Sequence, residues 1–155
     1  MNSYSFLAVC VSTFFYAGNF PLIPGTLGSA IGLAIFFLVK NDVFLYFFIT
    51  ALLLTAGFLF TGKAEKALNK KDARCIIMDE ASGMLLSLIF LPYDFKLMLV
   101  GFFLFRLFDT LKPFPAGRLQ KLKGSAGIMA DDIAASVYTN ICLHIFLRLA
   151  SITGS

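Results

Sequence analysis

Five long apolar stretches, separated by short polar connectors, take up most of this 155-residue chain. They run approximately over Leu27–Val39, Val43–Phe60, Met84–Leu91, Phe95–Phe108 and Ile133–Ala150. The second and fifth approach the ~18–20 residues that cross a bilayer as a helix. The first reaches this length only if it begins near Pro24, and the third only if it extends back through Ile76. Because 59% of the residues are hydrophobic and only 14% are charged, these stretches lack the polar face of a helix in a soluble protein.

The apolar stretches therefore predict an all-α, polytopic membrane protein with about five spanning helices. We expect residues 1–155 to form a single integral-membrane domain. A shorter apolar stretch, Phe6–Ala17, is too short to span a bilayer and is predicted to form a re-entrant or interfacial helix. It lacks the basic start and the cleavage site of a signal peptide, so we expect it to belong to the mature protein. The three cysteines show no metal-ligand spacing.

Basic residues are concentrated in two of the connectors. Residues 62–75 carry five cations and two acids, and residues 110–126 carry four cations and no acid. The connectors at residues 40–42 and 93–96 are short and neutral. The positive-inside rule therefore predicts that the two basic connectors face the cytoplasm. In so hydrophobic a chain, their expected partners are anionic lipid headgroups and not nucleic acid.

Five of the nine acidic residues lie at the ends of the apolar stretches. They form three short clusters, which are Asp79-Glu80, Asp109 and Asp131-Asp132. Carboxylates at that depth are costly unless they are paired, hydrated or bound to a cation. The predicted topology brings all three clusters, and the start of the first apolar helix, to the cytoplasmic side. Grouped carboxylates are typical Mg²⁺ ligands, so we predict a metal site here. Charge stabilisation of helix N-termini is the alternative for the two adjacent pairs.

Two cations flank the middle acid. Arg106 and Asp109 are three residues apart and share one face of a helix, and Lys112 lies one turn further on. This spacing suits a site in which Asp109 contacts a metal while Arg106 and Lys112 bind phosphate oxygens. A salt bridge at a helix end is the alternative. At the start of the first apolar helix, Thr26 is expected to cap the helix, and free amides near Gly25 are expected to bind an anion.

Four linked motifs cover roughly residues 16–140. They are Pro24-Gly25-Thr26-x-Gly28-Ser29, Asp79-Glu80-x-x-Gly83, Phe105-Arg106-x-x-Asp109-x-x-Lys112-Pro113-x-Pro115 and Gly124-x-x-Gly127-x-Met129-x-Asp131-Asp132. In order and spacing they resemble the phosphatidylglycerophosphatase A family. The resemblance implies a multi-pass enzyme of the bacterial inner membrane with its active site facing the cytoplasm. It would convert phosphatidylglycerophosphate to phosphatidylglycerol and phosphate, in phospholipid (phosphatidylglycerol and cardiolipin) biosynthesis, with Mg²⁺ as cofactor.

The resemblance also implies roles for individual residues. The expected catalytic and metal-binding carboxylates are Asp79, Glu80, Asp109, Asp131 and Asp132. The expected phosphate-binding residues are Arg106, Lys112, Thr26 and Gly25. One or two Mg²⁺ ions, and either a carboxylate or a water as base or nucleophile, are compatible with this set, and the oligomeric state stays open. The alternative function is a small membrane transporter or scaffold with a cation-binding acidic cluster, whose acids would be expected to line both leaflets.

Overall fold

The structure, a computed structural model, describes residues 3–153, and within this range it contains helices and connecting turns but no strand. The α-helices are α1 (Ser3–Ser12), α2 (Pro24–Val39), α3 (Val43–Ala67), α4 (Met78–Ser87), α5 (Phe95–Leu111), α6 (Ala116–Leu119) and α7 (Ser125–Thr153). A short 3₁₀ helix, Ala17–Asn19, follows α1. The prediction of an all-α fold is confirmed.

The prediction of about five spanning helices is not confirmed by the lengths of the helices. Within the described residues, two helices are long and apolar enough to cross a membrane, over Val43–Ala67 and Ser125–Ile152. The helices α2 and α5 have 16 and 17 residues. The helix α3 runs on from its predicted end at Phe60 to Ala67, because the basic segment that we assigned to a connector continues the helix.

The helix α4 stops at Ser87, inside the apolar stretch that was predicted to be one continuous helix. The last carbonyls of a helix lack partners within the helix and need other donors. The Tyr46 hydroxyl donates to the Leu85 carbonyl at 2.6 Å. The Asn140 side-chain amide donates to the carbonyls of Ser87 and Ile89, at 3.1 and 2.8 Å. Side chains from α3 and α7 therefore allow α4 to end in the interior of the bundle.

Replacing Asn140 with leucine is expected to lower the free energy of unfolding by about 1–3 kcal/mol, because carbonyls in the bundle interior would lose their donor. The measurement is thermal or denaturant unfolding of the protein in detergent. Asn41→Leu is a suitable control, since Asn41 is exposed in the connector between α2 and α3. Equal stability of the two variants would contradict this role of Asn140.

The helices α2 and α4 pack closely because α2 presents a row of glycines to α4. A Cβ atom at Gly28 would lie 2.9 Å from the Ile77 carbonyl oxygen, and one at Gly32 would lie 2.4 Å from the Ala81 carbonyl oxygen. Small residues at this spacing let helix backbones approach each other in an apolar environment. The contact brings the first turn of α2 next to the first turn of α4, which carries two of the predicted site acids.

The two ends of the bundle are built from different connectors. At one end the neutral connectors meet, where the Lys40 ammonium hydrogen-bonds the Tyr93 hydroxyl and Phe36 stacks on the Tyr93 ring at 6.0 Å between centroids. At the other end the basic connectors meet, where the Gln120 side chain donates to Asp72 at 2.8 Å. The first turns of α2 and α4 lie at this second end, as do the last turn of α5 and the start of α7.

Candidate active site

One cavity of about 540 Å³, at the end of the bundle with the basic connectors, is lined by every site residue predicted from the sequence. These residues are Gly25 and Thr26 from α2, Asp79 and Glu80 from α4, Arg106 and Asp109 from α5, Lys112 just after α5, and Asp131 and Asp132 from α7. The cavity is also lined by Asp72, Ala73 and Arg74, which the sequence motifs did not single out. Residues far apart in the chain thus face one another across a single space.

Three of the acids form a compact group, which we call the carboxylate trio: Asp79, Glu80 and Asp132. Each offers an oxygen atom within 4.8 Å of those of the other two. Asp79 and Asp132 are only 8% and 2% exposed. Each member has one buried oxygen without a hydrogen-bond partner among residues 3–153. Such oxygens need a donor or a cation, and an all-oxygen set suits a hard divalent cation such as Mg²⁺. The trio therefore fits the predicted metal.

The other two acids, Asp109 and Asp131, are paired with cations instead. Arg106 Nη1 lies 2.6 Å from Asp109 Oδ2, and Lys112 Nζ lies 4.0 Å from Asp109 Oδ1. The Lys112 ammonium also hydrogen-bonds the Asp131 carboxylate. Burial lowers the pKa of Lys112, but the hydrogen bond and charge of Asp131, together with the charges of Asp109 and Asp132, raise it more. Since the net effect raises the pKa, the ammonium stays charged at neutral pH.

The end of α5 explains how Lys112 reaches Asp131. Pro113 cannot continue a helix, so α5 ends at Leu111 and Lys112 is its C-cap. Lys112 takes a left-handed backbone conformation with φ 46°. Arg106 and Asp109 remain one turn apart on α5, so a single helix end supplies both cations and one acid to the cavity.

The acids of α7 lie further inside their helix than predicted. The apolar stretch that predicted this helix begins at Ile133, but α7 begins at Ser125. Charge stabilisation by the helix dipole falls off beyond the first turn, so it does not account for Asp131 and Asp132. Adjacent residues point about 100° apart on a helix, so Asp132 joins the trio while Asp131 meets Lys112.

The start of α2 lies directly against the acids and Arg106. A Cβ atom at Gly25 would lie 2.6 Å from Glu80 Oε1 and 2.9 Å from Arg106 Nη2, so any other residue here would displace the Glu80 carboxylate and the Arg106 guanidinium. Contrary to our expectation, Thr26 does not cap α2, because the N-cap residue is Ile23 and no side chain caps the helix. The amides of the first turn therefore stay available for an anion in the cavity.

Comparison with known proteins identifies the family. Residues 10–147 match the family model described as Phosphatidylglycerophosphatase A. The chain belongs to the phosphatidylglycerophosphatase A family. Proteins named phosphatidylglycerophosphatase A from Haemophilus influenzae and Escherichia coli are 35% and 32% identical to it, over 76% and 79% of this chain and 75% and 73% of theirs.

A Bacteroides thetaiotaomicron protein with the provisional name phosphatidylinositol-3-phosphatase is 32% identical over 94% of this chain and 96% of its own. No solved structure matches the chain. Membership of the phosphatidylglycerophosphatase A family makes the protein a phosphatase, and it does not favour the transporter or scaffold alternative.

Proposed function

We propose that the protein removes the terminal phosphate of phosphatidylglycerophosphate in a Mg²⁺-dependent reaction. The observation that carries this proposal is the carboxylate trio beside Arg106 and Lys112, because one cavity then contains three acids that could bind a cation and two cations that could bind an anion. The names of the Haemophilus influenzae and Escherichia coli relatives support this substrate. The name of the Bacteroides thetaiotaomicron relative makes phosphatidylinositol 3-phosphate the second candidate.

In the proposed reaction, Asp79, Glu80 and Asp132 would hold Mg²⁺. When bound, Mg²⁺ would offset the negative charge of the trio and polarise a phosphoryl oxygen. Arg106 presents a planar guanidinium that can donate two parallel hydrogen bonds to phosphoryl oxygens, and Lys112 adds a point charge. Both cations would stabilise the negative charge that develops in the transition state.

The two remaining acids would position other groups. Asp109 holds the Arg106 guanidinium in place through the 2.6 Å contact. Asp131 Oδ1 is buried without a hydrogen-bond partner among the described residues, while its other oxygen accepts from Lys112. We assign Asp131 Oδ1 as an acceptor for a proton of the attacking water. The first-turn amides of α2, at Gly25 and Thr26, would add a partial positive charge beside the phosphate.

We also propose that the chain crosses the bacterial inner membrane five times, with the active site at the cytoplasmic face. Four crossings would be α2, α3, α5 and α7; the shortest, α2, is about 24 Å long at 1.5 Å per residue. The remaining crossing would combine α4 with residues 88–93. This arrangement is supported by apolar side chains such as Leu38, Phe44, Phe103 and Ile152, which are 68–90% exposed. The basic connectors at the active-site end support the orientation.

The test is phosphate release by the purified protein in detergent. With phosphatidylglycerophosphate as substrate, we expect release in Mg²⁺, loss of release in EDTA, and recovery when Mg²⁺ is restored. The reason is that, among residues 3–153, no lysine or arginine forms an ion pair with the trio. Phosphatidylinositol 3-phosphate is assayed in parallel. The absence of Mg²⁺-dependent release from phosphatidylglycerophosphate would contradict the proposal, and a higher kcat/KM for phosphatidylinositol 3-phosphate would replace the proposed substrate by that lipid.

A further inference from the structure

A second cavity of about 400 Å³, which we call the side groove, adjoins the active site. Its walls are formed by residues 18–22, which include the end of the 3₁₀ helix, and by residues 68–75, before α4. Pro24, Ala73 and Arg74 line both the side groove and the active-site cavity. A ligand that extends out of the active site past Arg74 therefore enters the side groove.

Close backbone contacts hold the two walls of the side groove together. A Cβ atom at Gly18 would lie 2.0 Å from the Cys75 carbonyl oxygen, so only glycine permits this approach. The Ile77 amide then donates to the Ser12 carbonyl at 3.0 Å. These contacts fix the segment that carries Arg74 between the end of α1 and the first turn of α4, next to the carboxylate trio.

The charge of the side groove differs from that of the active site. Lys70 and Arg74 line the groove, and its lining contains no acidic residue. Both cations are exposed, and neither forms an ion pair with any residue between positions 3 and 153. In the active site, by contrast, Arg106 and Lys112 are paired with acids. Two uncompensated cations beside a phosphate site favour a second anionic group of the same ligand.

The rim of the side groove is apolar. Phe20 and Leu22 line the groove and are 53% and 79% exposed, and the neighbouring Ile23 is also exposed. Exposed large apolar residues next to a polar groove are typical of a surface that contacts a lipid or another apolar partner. One cavity therefore combines carboxylates with cations, and the adjoining groove combines cations with exposed apolar side chains. These are the groups that a phospholipid with a phosphorylated headgroup would need.

We propose that the side groove binds the phosphodiester of the lipid substrate through Arg74 and Lys70, while the phosphomonoester lies at the carboxylate trio. This inference rests on the proposed function and defines the substrate class as lipids that carry both kinds of phosphate. In phosphatidylglycerophosphate and in phosphatidylinositol 3-phosphate, a three-carbon bridge separates the two phosphates. The same two adjoining sites would accommodate either headgroup. Phosphatidic acid, which has a phosphomonoester and no phosphodiester, would leave the groove cations without a partner and would be the poorer substrate.

The first test is the variant Arg74→Gln, assayed with short-chain phosphatidylglycerophosphate in a neutral detergent. We expect KM to rise about 10- to 100-fold, as for the loss of a charge-assisted hydrogen bond, while kcat changes little. Lys71→Gln is the matched control, since Lys71 is an exposed cation three residues away that lines neither cavity. It should leave both constants at the wild-type values. If the two substitutions changed KM equally in an enzyme that remains active, the side-groove proposal would be overturned, while the proposed function would stand.

The second test compares substrates. Arg74→Gln should reduce the preference for phosphatidylglycerophosphate over phosphatidic acid, and it should weaken inhibition by the product phosphatidylglycerol, which retains the phosphodiester. An equal rise in KM for both substrates would overturn the proposal, because Arg74 would then act on the phosphomonoester. A loss of activity of Arg74→Gln that is seen on anionic vesicles but not in neutral micelles would also overturn the proposal. Arg74 would then act by attracting the protein to the membrane surface. A wild-type protein that releases no phosphate from either diester-bearing lipid would instead contradict the proposed function.

Discussion

Replacing Glu80 with glutamine is expected to lower Mg²⁺-dependent turnover by on the order of 100- to 1,000-fold, and to raise the unfolding temperature in EDTA. Glu80 supplies one of the three buried oxygens of the carboxylate trio that have no hydrogen-bond partner among residues 3–153. Glutamine keeps the shape of the side chain but removes a negative charge, so the site attracts a divalent cation less. Without a cation, carboxylates that are buried together repel one another and lose their hydration, so neutralising one of them stabilises the folded protein.

The two effects are measured separately, as phosphate release over a range of Mg²⁺ concentrations and as thermal unfolding with Mg²⁺ or EDTA. Mg²⁺ should raise the unfolding temperature of the wild type, because it binds the folded state, and should raise that of Glu80→Gln less. Asp42→Asn is the control, since it removes the same charge at the opposite end of the bundle and asparagine still caps a helix. A variant that is inactive and also less stable than the wild type in EDTA would indicate a structural role for Glu80.

The sequence predicted the positions of the helices better than their ends. Apolar stretches mark the middle of a helix, because burial or contact with lipid acts along its whole length. The end of α4 at Ser87 depends instead on hydrogen bonds from Tyr46 and Asn140, which lie far away in the chain. Similarly, α3 continues to Ala67 through residues whose charge suggested a connector, since Lys and Glu are good helix formers.

The sequence predicted which acids line the site, but it did not predict which of them pair with cations. Charge and hydropathy indicated that the acids would meet at one end of the bundle, and all of them line one cavity. Asp131 pairs with Lys112, whereas the adjacent Asp132 belongs to the trio. This difference depends on the backbone turn at Lys112 and on the rotation of α7 about its axis. Arg74 was one of five cations in a basic connector. Its position between two cavities follows from the contact of Gly18 with Cys75, for which the sequence carries no local signal.

Replacing Arg106 with lysine is expected to lower kcat about 100- to 1,000-fold, with a much smaller change in the Mg²⁺ concentration needed for half-maximal activity. The guanidinium contacts Asp109 at 2.6 Å and lies beside Gly25, at the point where the first turn of α2 meets the trio. Its planar fork can hold Asp109 and donate to phosphoryl oxygens at the same time, whereas a lysine ammonium on a flexible stem cannot fix both. The substitution should therefore destabilise the transition state more than it weakens the binding of metal or substrate.

The measurement is kcat and KM for phosphatidylglycerophosphate across a Mg²⁺ titration. Arg118→Lys is the control, because Arg118 is exposed, stacks on Phe114 at 4.8 Å and does not line the cavity. Arg106→Lys and Arg74→Gln should have opposite kinetic patterns, one lowering kcat and the other raising KM, because we propose that Arg106 contacts the reacting phosphate and Arg74 contacts the phosphodiester. A shift in the Mg²⁺ requirement as large as the loss in kcat would mean that Arg106 acts by positioning Glu80 in the trio, since both side chains meet at Gly25.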